Sequence, residues 1–184
     1  MKDLQFATAG DGPVTMSPDD ALALFDSLPA CPVETLRGQW SGREVLTGHP
    51  LDGALANISW YGKQFDSDDQ VHPLLVRGTD GRPFPLDPSF VPMRLIAKPM
   101  PTPRWVKRVA PSTMSLLRGP MRARRYGAKL SSPVHRGKAT AAMSYVGKPI
   151  TDYFRKIDEH TVLGLMEYAG MPRPYFFLLR RDRA

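Results

Sequence analysis

Gly38-Gln39-Trp40-Ser41-Gly42 lies inside a strand-like run from residue 34 to residue 46, and its reading decides the fold. Glycine inside a strand weakens it unless the chain must bend there or another group must come close. Two glycines around one tryptophan therefore mark the first long strand and predict a mostly β chain. On the N-terminal side, residues 1–16 are rich in Gly, Asp and Thr, lack periodicity, and predict a loose tail. Ser17-Pro18-Asp19-Asp20 then predicts a helix start. Ser17 can accept an orphan N–H, Pro18 suits the first helical position, and two acids meet the positive end of the dipole. Leu22, Phe25 and Leu28 recur at helical spacing, and Pro29 and Pro32 stop the helix.

On the other side, Leu51, Leu55, Ile58 and Phe65 fall on one helical stripe after Gly48-His49-Pro50. They predict a second helix, with Trp60 and Tyr61 near its end, crossing or lidding the sheet. Residues 72–77 read as a short strand and Thr79-Asp80-Gly81-Arg82 as a hairpin turn. Residues 83–120 hold nine prolines, which exclude central sheet because proline donates no ladder bond. An irregular excursion is expected, with edge strands at 93–97 and 104–109 and a helical turn at 115–117. An exposed edge there offers a surface for pairing with a second subunit, a homodimer.

The last third changes character. Residues 122–130, 138–146, 151–157, 161–168 and 175–181 each have strand length and are separated by turn chemistry such as Gly147-Lys148-Pro149 and Gly170-Met171-Pro172. Short connections make neighbouring strands antiparallel. Residues 150–157 also read as a short helix, since Tyr153-Phe154-Arg155 does not alternate cleanly. A meander of this length leaves two edges, and closure onto the strand around Trp40 removes them. The expected organisation is a tail over 1–16 and one β-barrel domain over 17–184. A first part spans 17–110 and the C-terminal strand meander 120–184.

The bulk numbers agree with a globular domain: 184 residues, 42% hydrophobic and 23% charged. The net charge of +7 can steer anions or serve solubility alone. The single Cys31 forms no intrachain disulfide. Residues 1–13 lack an apolar run, and no stretch approaches the roughly 20 apolar residues of a membrane-spanning helix. The expectation is a cytoplasmic protein.

Chemistry-bearing motifs are sparse. His49, His72, His135 and His160 are not paired at helical spacing, and Cys31 has no partner, so no zinc or di-iron pattern exists. Trp40-Ser41-Gly42 lacks the glycine two residues before the serine that a nucleophile elbow needs. Asp19-Asp20, Asp68-Asp69 and Asp158-Glu159 fall in caps and turns, and no buried acid/base pair is expected. Phosphate-cradling glycine loops are absent. Arg118, Arg122, Arg124, Arg125 and Lys129 form the densest basic stretch, but no nucleic-acid-binding motif accompanies them.

The pentapeptide resembles the Gly-x-Trp start of calycin barrels such as lipocalins and nitrobindins. The resemblance implies that Trp40 plugs one end of the barrel, with Arg180 or Arg181 over its face. Further motifs extend it: Thr47-Gly48-His49-Pro50, Trp60-Tyr61-Gly62-Lys63, His72-Pro73-Leu74-Leu75, Pro149-Ile150-Thr151-Asp152-Tyr153-Phe154-Arg155-Lys156, Val162-Leu163-Gly164 and Phe176-Phe177-Leu178-Leu179-Arg180-Arg181. Together they are similar to the bacterial GXWXG family, whose members carry a C-terminal domain of unknown function. No reaction comes with that family. The calycin-like fold implies binding or transport of a fatty acid or related lipid, by analogy of fold. A haem-binding, gas-sensing role is the alternative, with His72 or His160 as axial ligand. An enzyme acting on a barrel-bound molecule is the third reading, for which no nucleophile stands out; no cofactor is otherwise expected.

A carboxylate inside a barrel needs a cation and hydroxyls, which Arg and Tyr supply. Arg124, Arg125 and Tyr126 share one expected strand; Tyr145, Tyr153 and Arg155 lie on later ones. Ala139, Ala141, Met143 and Tyr145 share a face by alternation, and Met166 and Phe177 extend such a wall. Trp60, Tyr61 and His72 complete the ligand-facing candidates.

Overall fold

The computed structural model describes residues 12–78, 80–90 and 121–183. Helix α1, Pro18–Ser27, begins as its sequence dictates. The Ser17 hydroxyl accepts the Asp20 N–H at 3.1 Å, Pro18 occupies the first turn, and Leu28 turns extended before Pro29. The helix buries Ala21 and Phe25 against an outer sheet face made of Val45, Leu163, Leu165, Phe176 and Leu178.

That sheet belongs to a closed barrel. Its strands are β2 (Gly38–Leu46), β3 (Trp60–Phe65), β4 (Val71–Arg77), β6 (Ala128–Ser131), β9 (Ala142–Tyr145), β10 (Ile150–Lys156), β11 (Thr161–Tyr168) and β12 (Tyr175–Arg181). The order β2-β12-β11-β10-β9-β6-β4-β3 returns to β2, and every pairing is antiparallel. The result is an eight-stranded, mainly β barrel of calycin-like type, which leaves no open edge around its circumference. Outside the ring, β1 (Val14–Thr15) pairs parallel with β2, β5 (Pro83–Pro85) pairs with β4, and β7 (Val134–His135) pairs with β8 (Lys138–Ala139).

Alternation sorts the side chains. Trp40, Phe65, Met143, Phe154, Val162, Phe177 and Leu179 fill the interior, while Leu163, Leu165, Phe176 and Leu178 meet α1. The seam between β4 and β6 is the thinnest, with the single register pair Val71↔Ala128. Two residues further along β4, Pro73 has no N–H to continue the ladder.

Three expectations need correction. The stripe from Leu51 to Phe65 is not one helix: α2 covers only Ala54–Asn57, and β3 begins at Trp60. Gly53 at φ +81° and Ser59 at φ +54° bracket the short helix with left-handed backbone. Residues 122–130 are not one strand, since only Ala128–Ser131 pairs, apart from a lone bridge between Arg122 and Leu86. Residues 138–146 split at Thr140-Ala141, where the segment around Cys31 inserts: Ala141 N–H donates to the Cys31 carbonyl at 2.7 Å, and Cys31 N–H donates to the Thr140 hydroxyl at 3.0 Å. Residues 150–156 form a strand, so the helical alternative fails there. The hairpin turn after β4 forms with Gly81 at φ +74°. The expected elements at 93–97, 104–109 and 115–117 fall outside the described residues.

Candidate functional site

The GXWXG stretch works by packing and backbone shape. Gly38 has φ +103°, a left-handed conformation that favours glycine. A Cβ on Gly42 would lie 2.2 Å from the Trp60 ring, so the second glycine makes room for that indole. Trp40 is fully buried, and its indole N–H donates to the Leu36 carbonyl at 2.7 Å. The Arg181 guanidinium lies 4.5 Å from the Trp40 ring centroid and donates to the Arg37 and Thr35 carbonyls. Arg180 points to solvent.

Inside the barrel is a cavity of about 60 Å³. Its wall is apolar over most of its extent, from Leu51, Leu55, Ile58, Leu74, Met166 and Phe177, and it also includes Trp60, Lys63, Tyr145 and Asp152. Lys63 faces inward by ordinary alternation with Phe65 and opposite Trp40 of β2, and Trp60, three residues earlier, also faces inward because the β3–β4 register shifts on each side of Gly62. Asp152 faces inward from β10 by ordinary alternation with Phe154.

Lys63 and Asp152 form an ion pair at 2.8 Å, with side chains 3% and 1% exposed. That burial matters because each charge would be costly alone. The Lys63 ammonium also donates to the Pro73 carbonyl at 3.1 Å and the Tyr145 hydroxyl at 3.3 Å, and lies 4.9 Å from the Phe177 ring. Lysine thus has three partners for three protons. Asp152 is less well served. Its Oδ2 faces the Lys63 ammonium in the ion pair, whereas Oδ1 receives no hydrogen bond from the described residues. Burial raises the Asp152 pKa, with Lys63 opposing the shift. Burial, followed by the Asp152 charge, holds the Tyr145 phenol well above its usual range. The buried Trp60 indole N–H also lacks an acceptor among the described residues.

A second polar group holds the segment after β2 over this cavity. The Glu44 carboxylate accepts the Tyr175 hydroxyl at 2.5 Å and the Leu55 N–H at 3.2 Å. Asp52 accepts the N–H groups of Thr47, Gly48 and His49 at 3.0, 2.8 and 3.1 Å. His49 accepts the Leu51 N–H on Nδ1, which assigns its proton to Nε2, 3.2 Å from the Arg173 carbonyl.

Of the residues expected to face a ligand, Trp60, Tyr145, Met166 and Phe177 line the cavity. Met143 is buried in the same interior without lining it. The others lie elsewhere. Tyr61 donates to Asp182 at 2.5 Å and packs under Arg77. His72 stacks on Tyr126 at 4.6 Å, and Arg125 is exposed. Tyr153 stacks on His135 at 3.6 Å, and Arg155 is buried 5.0 Å from the Phe25 ring of α1. None of the four histidines lines the cavity. The expectation of no buried acid/base pair is overturned by Lys63 and Asp152. Asp152 could have been found, since strand alternation opposes it to Tyr153 and Arg155. Lys63 could have been found as well, since it alternates with Phe65 on a strand, whereas the position of Trp60, out of step across Gly62, has no periodic signature.

The GXWXG protein family matches residues 23–81, and the domain of unknown function DUF4334 matches residues 126–181. A crystal structure of a protein from Thermomonospora curvata is similar over 100% of both chains, at 27% identity and a TM-score of 0.70. Among curated proteins none matches. The first match covers α1 through the β4 hairpin, and the second covers β6 through β12. The chain therefore carries a GXWXG segment followed by a DUF4334 segment, the second supplying the C-terminal half of its barrel.

Proposed function

We propose that this protein binds a small, mainly apolar molecule carrying one polar group, inside the barrel, with fatty acids and related lipids the first class to test. The observation that carries this reading is the Lys63–Asp152 pair, buried in an otherwise apolar cavity. Apolar residues of similar volume would serve stability as well or better, so charge retained beside a cavity points to recognition. The polar end of the ligand meets Asp152, Tyr145, Lys63 and Trp60. The apolar part lies along Leu51, Leu55, Ile58, Met166 and Phe177.

The cavity of about 60 Å³ is well below the roughly 150 Å³ that accommodates benzene in an engineered core. Binding therefore displaces the segment around α2, which rests on the Glu44 and Asp52 hydrogen bonds. The test is a native mass spectrum of freshly purified protein, joined to a titration with a fluorescent fatty acid. A bound species or a saturable response is expected. No adduct and no response would sink the proposal. The haem alternative relies on His72 or His160 as axial ligand, neither of which lines this cavity, and a flat haemin titration is expected.

A further inference from the structure

Two buried polar groups on the cavity wall are incomplete in opposite senses. Among the described residues Asp152 Oδ1 has no hydrogen-bond donor, and the Trp60 indole N–H has no acceptor. A buried polar group without a partner costs stability that a ligand can restore. Lys63, by contrast, has three partners already. Among the buried groups of the wall, the free capacity therefore lies in one acceptor and one donor, while the Lys63 cation is already engaged.

We infer that the cavity selects a ligand whose polar end is an un-ionised O–H group, giving its hydrogen to Asp152 and accepting from Trp60. This deepens the binding function proposed above and rests on it. An aliphatic alcohol has this chemistry, and so does a carboxylic acid in its protonated form. A carboxylate anion does not, because it brings no hydrogen and sets a second negative charge beside Asp152. A plain ether accepts from Trp60 but leaves Asp152 unserved.

The groups that bear on Asp152 are Lys63 from β3 and Tyr145 from β9, with Lys148 and Tyr175 further along the cavity wall. Glu44 stands behind Tyr175. As pH falls a carboxylic acid ligand takes up its own proton, and Asp152, whose carboxyl burial pushes up, takes one up as well, so n-hexanol serves as the control for Asp152.

NMR titration of the full chain with three probes of similar size tests the inference: n-hexanol, methyl pentyl ether and hexanoate. Near neutral pH, n-hexanol should bind about tenfold tighter than the ether, the worth of one buried hydrogen bond. Hexanoate should bind more weakly than n-hexanol near neutral pH, and its affinity relative to n-hexanol should rise as pH falls. In the double variant Lys63→Met with Asp152→Leu, n-hexanol and the ether should bind within about twofold of each other. Trp60→Phe should weaken both alike, and it provides a check that leaves the ion pair intact. Equal affinity for n-hexanol and the ether in the native protein, or tightest binding by ionised hexanoate, overturns the inference while leaving the binding function in place. Binding of none of the three, with no response to the fluorescent fatty acid, removes both.

Discussion

Single residues show how the family motif connects to the cavity. Gly42 has no side chain because the Trp60 ring occupies that space, at 2.2 Å from where a Cβ would stand. Gly42→Ala should cost about 1–3 kcal/mol through overpacking, measured by urea denaturation, and should alter Trp60 fluorescence. Lys63 and Asp152 make a sharper case. Lys63→Met or Asp152→Leu alone leaves a buried charge and should cost about 3–5 kcal/mol, whereas the two together should restore native stability or exceed it. If the double variant proves no better than the singles, the pair is a structural requirement and not a functional one. His49 adds a pH dependence. Burial holds its pKa below the ordinary 6.5, so the unfolded chain takes up a proton that the folded protein refuses. Its contribution is complete above about pH 6.5 and is lost as pH falls toward the depressed value. Asp152 works in the opposite sense, since a raised carboxyl favours folding below its ordinary 3.8 and loses that contribution as pH rises. Urea midpoints should therefore fall between about pH 7 and about pH 5, and His49→Gln should reduce the fall.

Among elements, α1 was legible and the segment after β2 was not. Ser17, Pro18 and Phe25 each satisfy a local rule, and the helix forms where those rules place it. Ser17→Ala should cost about 1 kcal/mol. Phe25→Ala should cost about 3–5 kcal/mol, because Phe25 is fully buried against the outer face of β11 and β12. Both changes are read from denaturation midpoints, and a negligible loss for Phe25→Ala would show that α1 does not seal the barrel. Between residues 51 and 65 a true one-turn helix and a true strand follow each other. Their combined apolar positions imitate one longer helix. Positive φ at Ser59 separates them, and the serine carries no sign of this in its identity. The split at Thr140-Ala141 has a similar origin, since the interruption comes from Cys31, more than a hundred residues away in the chain.

For the whole molecule, stability is unevenly distributed around the barrel. The β10–β11 and β11–β12 ladders run along most of their strands, whereas β4 and β6 share one register pair. Hydrogen exchange followed by mass spectrometry should find 71–77 and 128–131 opening before 161–168 and 175–181; uniform protection around the ring would contradict this picture. The sequence by itself determined that the chain is mainly β, that α1 starts at Ser17, that the C-terminal strands form a meander, and that Trp40 is a structural residue near an arginine of the last strand. The first three depend on local propensity or on alternation within one segment, which a linear reading can see, and the fourth came from the resemblance of the Gly-x-Trp strand start to calycin barrels. Tertiary structure alone decided that the irregularity at Gly62 brings Trp60 to the inner face, that Asp152 meets Lys63 from the other half of the chain, and that Trp60 fills the space above Gly42. These features arise from strand register across barrel closure. Register depends on which segments pair, and no single segment of the sequence records that.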